Sequence, residues 1–421
     1  MERLKFKIVR ACVVVVLSTH VAAADDNPHG KSGASGAANT PADSSVTSVA
    51  STTSDTVVRT KSEMSVYSDT DSVTVFTPAV AGSIESPTTG WTANGSYLVD
   101  IVSAASVDIV STASGHWTET RHAATLGGGY KPGSVGAAVS GAVSREPDYL
   151  SLSGGGALSF ELADKTANPT IGYSYSHDTA GRSTTPFSVF SQTLERHSIN
   201  GSLELILDPL TLVSFSVDAF FEVGDQSKPY RLLPMFAPNV APSIDRGASV
   251  DLVNALRLPG RVAEHTPGTR NRVAVSGHLA QRLAGSTFIL NERLYADDWG
   301  LKASSTDLRF VIDASRRVFI WTHLRGHFQS GVSFWKRAYT AAFTPGEPLS
   351  VPALRTGDRE MSPLSAATFG AGLRWNFGGS TNPTAWSFIA QADMLLTAYS
   401  DTLFIQNREG YLGVIQLETE L

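Results

Sequence analysis

Cysteine is all but missing from this chain of 421 residues: the single one is Cys12. It lies in an N-terminal apolar segment, so the rest of the chain has no thiol for disulfides, thiolate metal sites or cysteine catalysis. Arg10 stands just before Cys12 and the apolar run continues after it, a poor setting for lipid attachment. Long apolar runs are also missing. A helical polytopic membrane protein needs several stretches of about 18 or more apolar residues, and none occurs, which excludes that class. A membrane barrel survives this test, because only alternate residues of its strands face lipid and an apolar content of 42% is enough. An excess of positive charge is absent as well: 33 Lys and Arg against 39 Asp and Glu leave a formal net charge of -6. No basic stripe is available to neutralise a phosphate backbone, so nucleic acid is not an expected partner.

What is present begins with an export signal. Arg3, Lys5, Lys7 and Arg10 form a positive n-region, residues 11–21 (ACVVVVLSTHV) an apolar core, and Ala22-Ala23-Ala24 a small-residue cleavage site before Asp25. The reading is a signal peptide over residues 1–24 and Sec-type export. A retained membrane anchor fits less well, because the run is short and small and acidic residues follow it closely. Residues 25–60 are Gly, Ser, Ala, Thr and Asp with almost no large apolar side chain, and cannot bury enough surface to offset their ordering entropy. They read as a disordered linker, and residues 61–421 as an outer-membrane β-barrel.

The barrel reading rests on a period of two. Over residues 211–223 one face carries Val213, Phe215, Val217, Ala219, Phe221 and Val223, and the other Leu212, Ser214, Ser216, Asp218, Phe220 and Glu222. Segments 149–162, 199–208, 318–329, 366–377 and 384–399 alternate in the same way, as side chains do across a strand. A soluble β-sandwich alternates too, so further features decide. Many segments run to about 10–14 residues, enough to cross a bilayer at a tilt. Tyr97, Tyr149, Phe160, Trp375, Phe377, Trp386 and Tyr411 fall near strand ends, as interfacial girdles require. Connections alternate between short (near 131–134, 164–169, 208–210, 283–286, 314–317 and 379–383) and long (near 104–115, 178–194, 224–270 and 330–362), the habit of periplasmic turns and external loops. The final segment 408–421 resembles an outer-membrane C-terminal strand, which barrel-assembly machinery reads, although it ends in Leu421 where an aromatic residue is commoner. Counting from residue 71 gives about 15 strands, and even parity asks for one more, which residues 62–68 supply as the first arm of a hairpin. The expected fold is all-β: a transmembrane antiparallel β-barrel of roughly 16 strands (14–18) with long external loops.

The polar faces collect ionisable groups of both signs: Glu204, Asp218, Glu222, Arg272, His278, Arg282, Arg293, Arg309, Asp313, His323, Arg325, His327, Arg374 and Asp393. If those faces point inward, the groups pair across the interior as packing, or form an electrostatic constriction that selects solutes. His323 and His327, four apart, would stack as metal ligands only on a helix, so no metal is expected there. No Ser and His stand in a setting that specifies nucleophile and base, and G-x-S-x-G is absent. The stretch Ser153-Gly154-Gly155-Gly156 reads as thin strand interior and not as a phosphate cradle. The loop 224–270 is proline-rich with a short amphipathic helix near 248–257; it reads either as a lumen or mouth element or as a simple shield for the rim.

The blocks GSYLVDIVSAASVDIVSTAS (95–114), EPDYLSLSGG (146–155), HDTAGRSTTPFSVFSQTLERH (177–197), GDQSKPYRLLPMFAPNVAP (224–242) and RLYADDWGLKASSTD (293–307) resemble a Gram-negative bacterial family. That family is catalogued as a domain of unknown function and predicted to form outer-membrane barrels. The resemblance spans roughly residues 60–421 and implies fold and location; it brings no catalytic residues and no cofactor. Charged and aromatic groups within those blocks, namely Asp100, Asp108, His177, Asp178, Arg182, Tyr230, Arg231, Asp297, Asp298 and Trp299, are further candidates for a loop or lumen site. The functional expectation is a porin-like channel or transporter for an unidentified small solute, set in outer-membrane lipid. A closed structural barrel whose loops bind a partner or surface glycan is the alternative, and a barrel hydrolase the second.

Overall fold

The computed structural model describes residues 56–104, 117–342, 349–378 and 385–421. Residues 1–24, read from sequence as a signal peptide, most of the linker, the segment 105–116 with Asp108 and the turn 379–383 lie outside the described residues. Sixteen antiparallel strands close into one barrel. They are β1 (Val57–Asp69), β2 (Val73–Ser86), β3 (Trp91–Ala104), β4 (Trp117–Tyr130), β5 (Val135–Glu146), β6 (Tyr149–Phe160), β7 (Ala167–Ala180), β8 (Gln192–Asp208), β9 (Thr211–Gly224), β10 (Thr269–Leu283), β11 (Ser286–Asp297), β12 (Lys302–Asp313), β13 (Val318–Gln329), β14 (Leu364–Phe377), β15 (Ala385–Tyr399) and β16 (Asn407–Glu420). Each pairs with its sequence neighbour, and β16 closes on β1 from Arg59↔Glu420 to Asp69↔Gly410. Closure leaves no unpaired edge, the condition for a sheet to sit in hydrocarbon.

The first strand starts at Val57, inside the stretch read from sequence as linker. Val57–Thr60 pairs with the end of β2, and Arg59 bridges Glu85 at 2.6 Å and Glu420 at 2.7 Å across the closing seam. Those partners are distant in sequence, which is why composition alone put the boundary four residues late.

Alternation separates two chemistries. Outward positions hold exposed apolar side chains such as Val139 (69%), Leu126 (73%), Phe328 (67%) and Phe369 (51%). Inward positions hold charges that are buried, among them Glu222, Arg272 and Asp393. Trp91, Tyr130, Trp375 and Trp386 lie outward at the ends of their strands nearer the chain termini, and Phe377 stacks with Trp375 and Trp386 at 5.1 and 6.4 Å. They make a lower aromatic ring. Tyr411 is outward and exposed toward the other end of β16. Tyr149 does not join a girdle: it is the inward partner of Glu146 and Ala180, so the one-residue phase of β6 sets it facing the lumen. Tyr97 is outward but sits midway up β3, opposite Ala124.

Among the described residues, the long connections 181–191, 225–268 and 330–363 leave the end opposite the chain termini, beside shorter links at 298–301 and 400–406. The described links at the other end are short. Loop 225–268 contains α1 (Val250–Leu256), whose N-cap Ser249 accepts from Leu252 N, within the segment expected to be helical.

Candidate functional site

Every ionisable group of the polar-face set occupies an inward position, and the barrel brings most of them into cross-strand pairs. The most continuous ladder runs over β6 to β11 near the loop end. Ser151 donates to Asp178 at 2.6 Å, Arg196 lies 3.7 Å from Asp178 and donates to Glu222 at 2.6 Å, and Arg272 pairs with the same carboxylate. Arg270 forks onto Asp297 Oδ2 (3.0 and 2.6 Å), which also accepts from Tyr295, and it stacks over Trp299 at 4.4 Å. Asp178 and Asp297 are two of the candidates for a loop or lumen site. They belong to β7 and β11, because β7 runs three residues beyond the loop boundary read from sequence and Asp297 closes β11. Lower in the wall, Arg293 bonds Asp218 at 3.0 Å and Arg282 forks onto Asp313. Arg374 reaches Glu418 at 3.3 Å. Glu204 receives Asn168 at 3.3 Å, and His278 Nδ1 meets Asn291 at 2.6 Å. Asp100 pairs with Arg121 at 2.6 Å, and His177 turns outward to Glu195 at 3.9 Å.

On β12 to β15 the wall is built differently. His323 stands between two carboxylates, Nδ1 at 2.9 Å from Asp393 and Nε2 at 2.8 Å from Asp307. A carboxylate accepts only, so both ring nitrogens are donors and the imidazole is a cation. Asp393 belongs to β15 and reaches His323 of β13 across β14. It can do so because the intervening inward residue is Gly370; a Cβ there would lie 2.7 Å from Asp393 Cγ. Two positions along, the ring of Trp321 lies over Gly372 and donates to Gln391, which donates to Asp393 at 2.6 Å. Beside this cluster Arg325 is exposed to the lumen and pairs with no carboxylate among the described residues. Arg309, buried, faces Trp321 at 5.9 Å.

His327 does not share a partner with His323. Gln329 donates its amide to the carbonyls of Glu360 and Ser362 (2.6 and 2.9 Å), so its Oε1 faces His327 Nε2 at 3.2 Å. That places the proton on Nε2, and Ser305 donates to Nδ1 at 2.7 Å. Register alone sets Ser305 opposite His327, which no sequence spacing announces. Other histidines in the wall have comparable cross-strand bonds, so the pair reads as wall packing.

Two loops cross the mouth. The link between β9 and β10 leaves the ring almost opposite the β16–β1 seam, yet Gly247 N bonds Thr402 O at 2.9 Å in the β15–β16 link. Phe236, Ile244 and Val253 form a core there with Leu403 and Phe404. The same loop reaches the β5–β6 turn, where Tyr230 donates to Asp148 at 2.6 Å and accepts from Ser183 N. Burial first, and then Asp148, push the Tyr230 phenol well above its ordinary value. Loop 330–363 meets it through Met235–Phe236 beside Tyr339–Thr340. Arg231 ties both loops together, at 3.3 Å from Glu264 and 2.8 Å from Asp358. Burial raises the Tyr339 phenol within this core to about 12. Arg359 then pairs with Asp71, and Glu360 accepts from Tyr399 (2.8 Å) and Arg408 (3.2 Å), both on inward positions. Arg182 lies over Phe190 at 3.9 Å, and Asp298 accepts from Asn271 at 2.8 Å. Glu264, Asp358, Arg359 and Glu360 were not among the sequence candidates; nothing in a loop sequence marks which charges will be drawn inward.

The fold and its wall define a closed 16-strand antiparallel barrel with an apolar exterior and a charged interior crossed at one mouth by packed loops. The chain belongs to the family described as "Protein of unknown function (DUF3570)", whose profile matches residues 31–418. No curated protein matches the sequence. Among solved structures, the chain is similar to CdiB from Acinetobacter baumannii (TM-score 0.46, 9% identity, 85% of this chain and 60% of that one). It is also similar to a mutant of the ferric enterobactin receptor of Pseudomonas aeruginosa (0.41, 9%, 82% and 54%). A third is OccK5 (OpdH) of Pseudomonas aeruginosa (0.38, 9%, 87% and 98%). The chain thus spans about half the length of the enterobactin receptor.

Proposed function

We propose that this protein is exported by its N-terminal signal, inserted in the outer membrane with β16 as the strand read by barrel-assembly machinery, and acts as a porin-like channel for a small solute. Residues 1–24 are removed, residues 25–56 form a periplasmic tail, and no catalytic role or cofactor is assigned. The observation that carries this reading is the division of faces: an apolar belt outside, and inside it cross-strand ion pairs such as Arg196–Glu222, Arg293–Asp218 and Arg374–Glu418, with the Arg325 guanidinium exposed among them. Rings of wall charge are how a wide pore selects its solute. The test is single-channel recording in planar bilayers, where a channel gives discrete current steps. Heat-shifted gel mobility reports the folded barrel; a protein that stays soluble without detergent and shows no shift would sink the membrane reading.

A second reading has its own support. The cap formed by loops 225–268 and 330–363 has a packed core and anchors on several sides of the mouth, which favours a closed barrel whose loops bind a partner or surface glycan. Absence of current from a correctly folded protein, with current restored on excising 331–362, would move the assignment there.

A further inference from the structure

The outward face carries few charges, and one group of them stands apart. Arg145, exposed near the loop end of β5, is the register partner of His122 on β4, also exposed and outward. The Tyr97 hydroxyl of β3 lies 2.7 Å from His122 Nδ1 with the two rings stacked at 6.2 Å, which fixes the imidazole and leaves its Nε2 edge free of protein partners among the described residues. Arg145 pairs with no carboxylate among the described residues. Arg145 lies roughly ten residues above Val135 at the lower end of β5; at ~3.3 Å per residue and a tilt of 35–45° that is about 25 Å, the height of an outer-membrane apolar band. His122 stands roughly eight residues, or about 20 Å, above Tyr130 of the lower aromatic ring. Both therefore meet the level where hydrocarbon gives way to headgroups on the loop side. Elsewhere toward that end the outward positions include the apolar Phe221 and Phe328, Tyr411, and the charged Glu195 and Lys302.

We propose that Arg145 and His122, the latter held in place by Tyr97, form a binding site for a phosphate of a phosphorylated glycolipid headgroup in the outer leaflet. The proposal rests on the outer-membrane location given above and not on conduction. A guanidinium at an interface with no protein anion beside it among the described residues offers a planar fork matched to a phosphate, and with the Tyr97 hydroxyl donating to Nδ1 the imidazole Nε2–H supplies a second donor. Of the other outward polar clusters among the described residues, His177 with His197 contains Glu195 at 3.9 Å from His177, and Ser304 with Thr306 surrounds Glu292; either carboxylate would repel a phosphate. Charge complementarity thus selects β4–β5 over β7–β8.

The test is native mass spectrometry of the detergent-purified protein titrated with diphosphorylated lipid A and with its fully dephosphorylated form. Wild-type protein should bind the diphosphorylated form at least about tenfold more tightly, the scale of one charge-assisted contact. The R145Q/H122Q protein should lose that preference while keeping heat-shifted mobility, and H177Q should retain it. Equal binding of the two lipids by wild-type protein overturns the site, as does a preference that survives R145Q/H122Q or disappears in H177Q. If R145Q/H122Q does not fold, the wild-type comparison of the two lipids decides. A wild-type protein soluble without detergent and lacking a heat shift fails on location, which is a separate result from failure to discriminate phosphate.

Discussion

Replacing Gly370 by alanine tests the wall of the barrel at its most specific point. The added Cβ would fall on the Asp393 carboxylate, 2.7 Å from its Cγ and 3.0 Å from the Ala392 carbonyl. Asp393 is tied to His323 and Gln391, so its movement breaks the bond to His323 and strands two buried groups (6% and 8% exposed). A hydrogen bond between charged groups is worth about 1.5–3 kcal/mol, and a buried pair broken on one side costs about 3–5. Glycine to alanine within a strand returns roughly 0.5–1 kcal/mol. The expected net cost is therefore about 2–3 kcal/mol. Urea titration of the protein refolded into phospholipid vesicles, followed by heat-shifted mobility, reads this difference. The decisive control is the same substitution in an Asp393→Ala background, where the obstructed oxygens are gone. There Gly370→Ala should be neutral or slightly stabilising, a coupling of roughly the whole effect. An equal cost in both backgrounds would refute the account of Gly370 as the passage for Asp393.

Four further outcomes follow from the same geometry. Arg325→Glu should reverse or strongly reduce any preference for anions over cations, measured as the reversal potential under a salt gradient; an unchanged potential removes Arg325 from the selective wall. Glu292 is outward on β11, where its carboxylate accepts from Ser304 (2.7 Å) and Thr306 (2.5 Å), and Glu292→Gln should leave stability in bilayers unchanged or raise it by about 1 kcal/mol. A loss beyond that would mean the charge has a partner outside this chain. In the turn after β6, burial pushes the Glu161 carboxyl up, but Lys131 and Lys165 together outweigh it and hold the group below its ordinary value of 4.5. A carboxyl lowered on folding stabilises above its unfolded pKa and loses that contribution as pH falls through the folded one, so K131M/K165M should matter least in strong acid and most near neutrality. Lastly, the intact mass of protein purified from outer membranes should correspond to a chain starting at Asp25.

Alternation in 211–223 and 366–377 depends only on the two-residue repeat of a strand, so the sequence itself assigned Phe215 and Phe369 to one face and Asp218 and Arg374 to the other. Parity and strand length then led to sixteen strands, because a closed sheet and a bilayer of given thickness leave few alternatives. Phase near strand ends was less legible. Tyr149 has an aromatic side chain in the right place for a girdle, but its inward setting depends on pairing with Glu146 and Ala180. Val57–Thr60 became strand through partners at Ile84 and Thr419, far along the chain.

The site lay further beyond reach. Any list of inward charges followed from the period of two, but His323 acquires two carboxylates only because β12 lies beside it and Gly370 of β14 lets Asp393 reach across from β15. The same holds for Ser305 opposite His327, a pairing of residues 22 apart that the hairpin register alone selects. Cap contacts such as Arg359 to Asp71, 288 residues apart, have no local signal at all, since loops lack the periodicity that marks an inward position. The near absence of cysteine and of long apolar runs thus determined what this protein is not, and the strand period its architecture. Which charges meet, and what stands in the mouth, was decided by closure of the sheet, which makes neighbours of residues that no repeat along the chain connects.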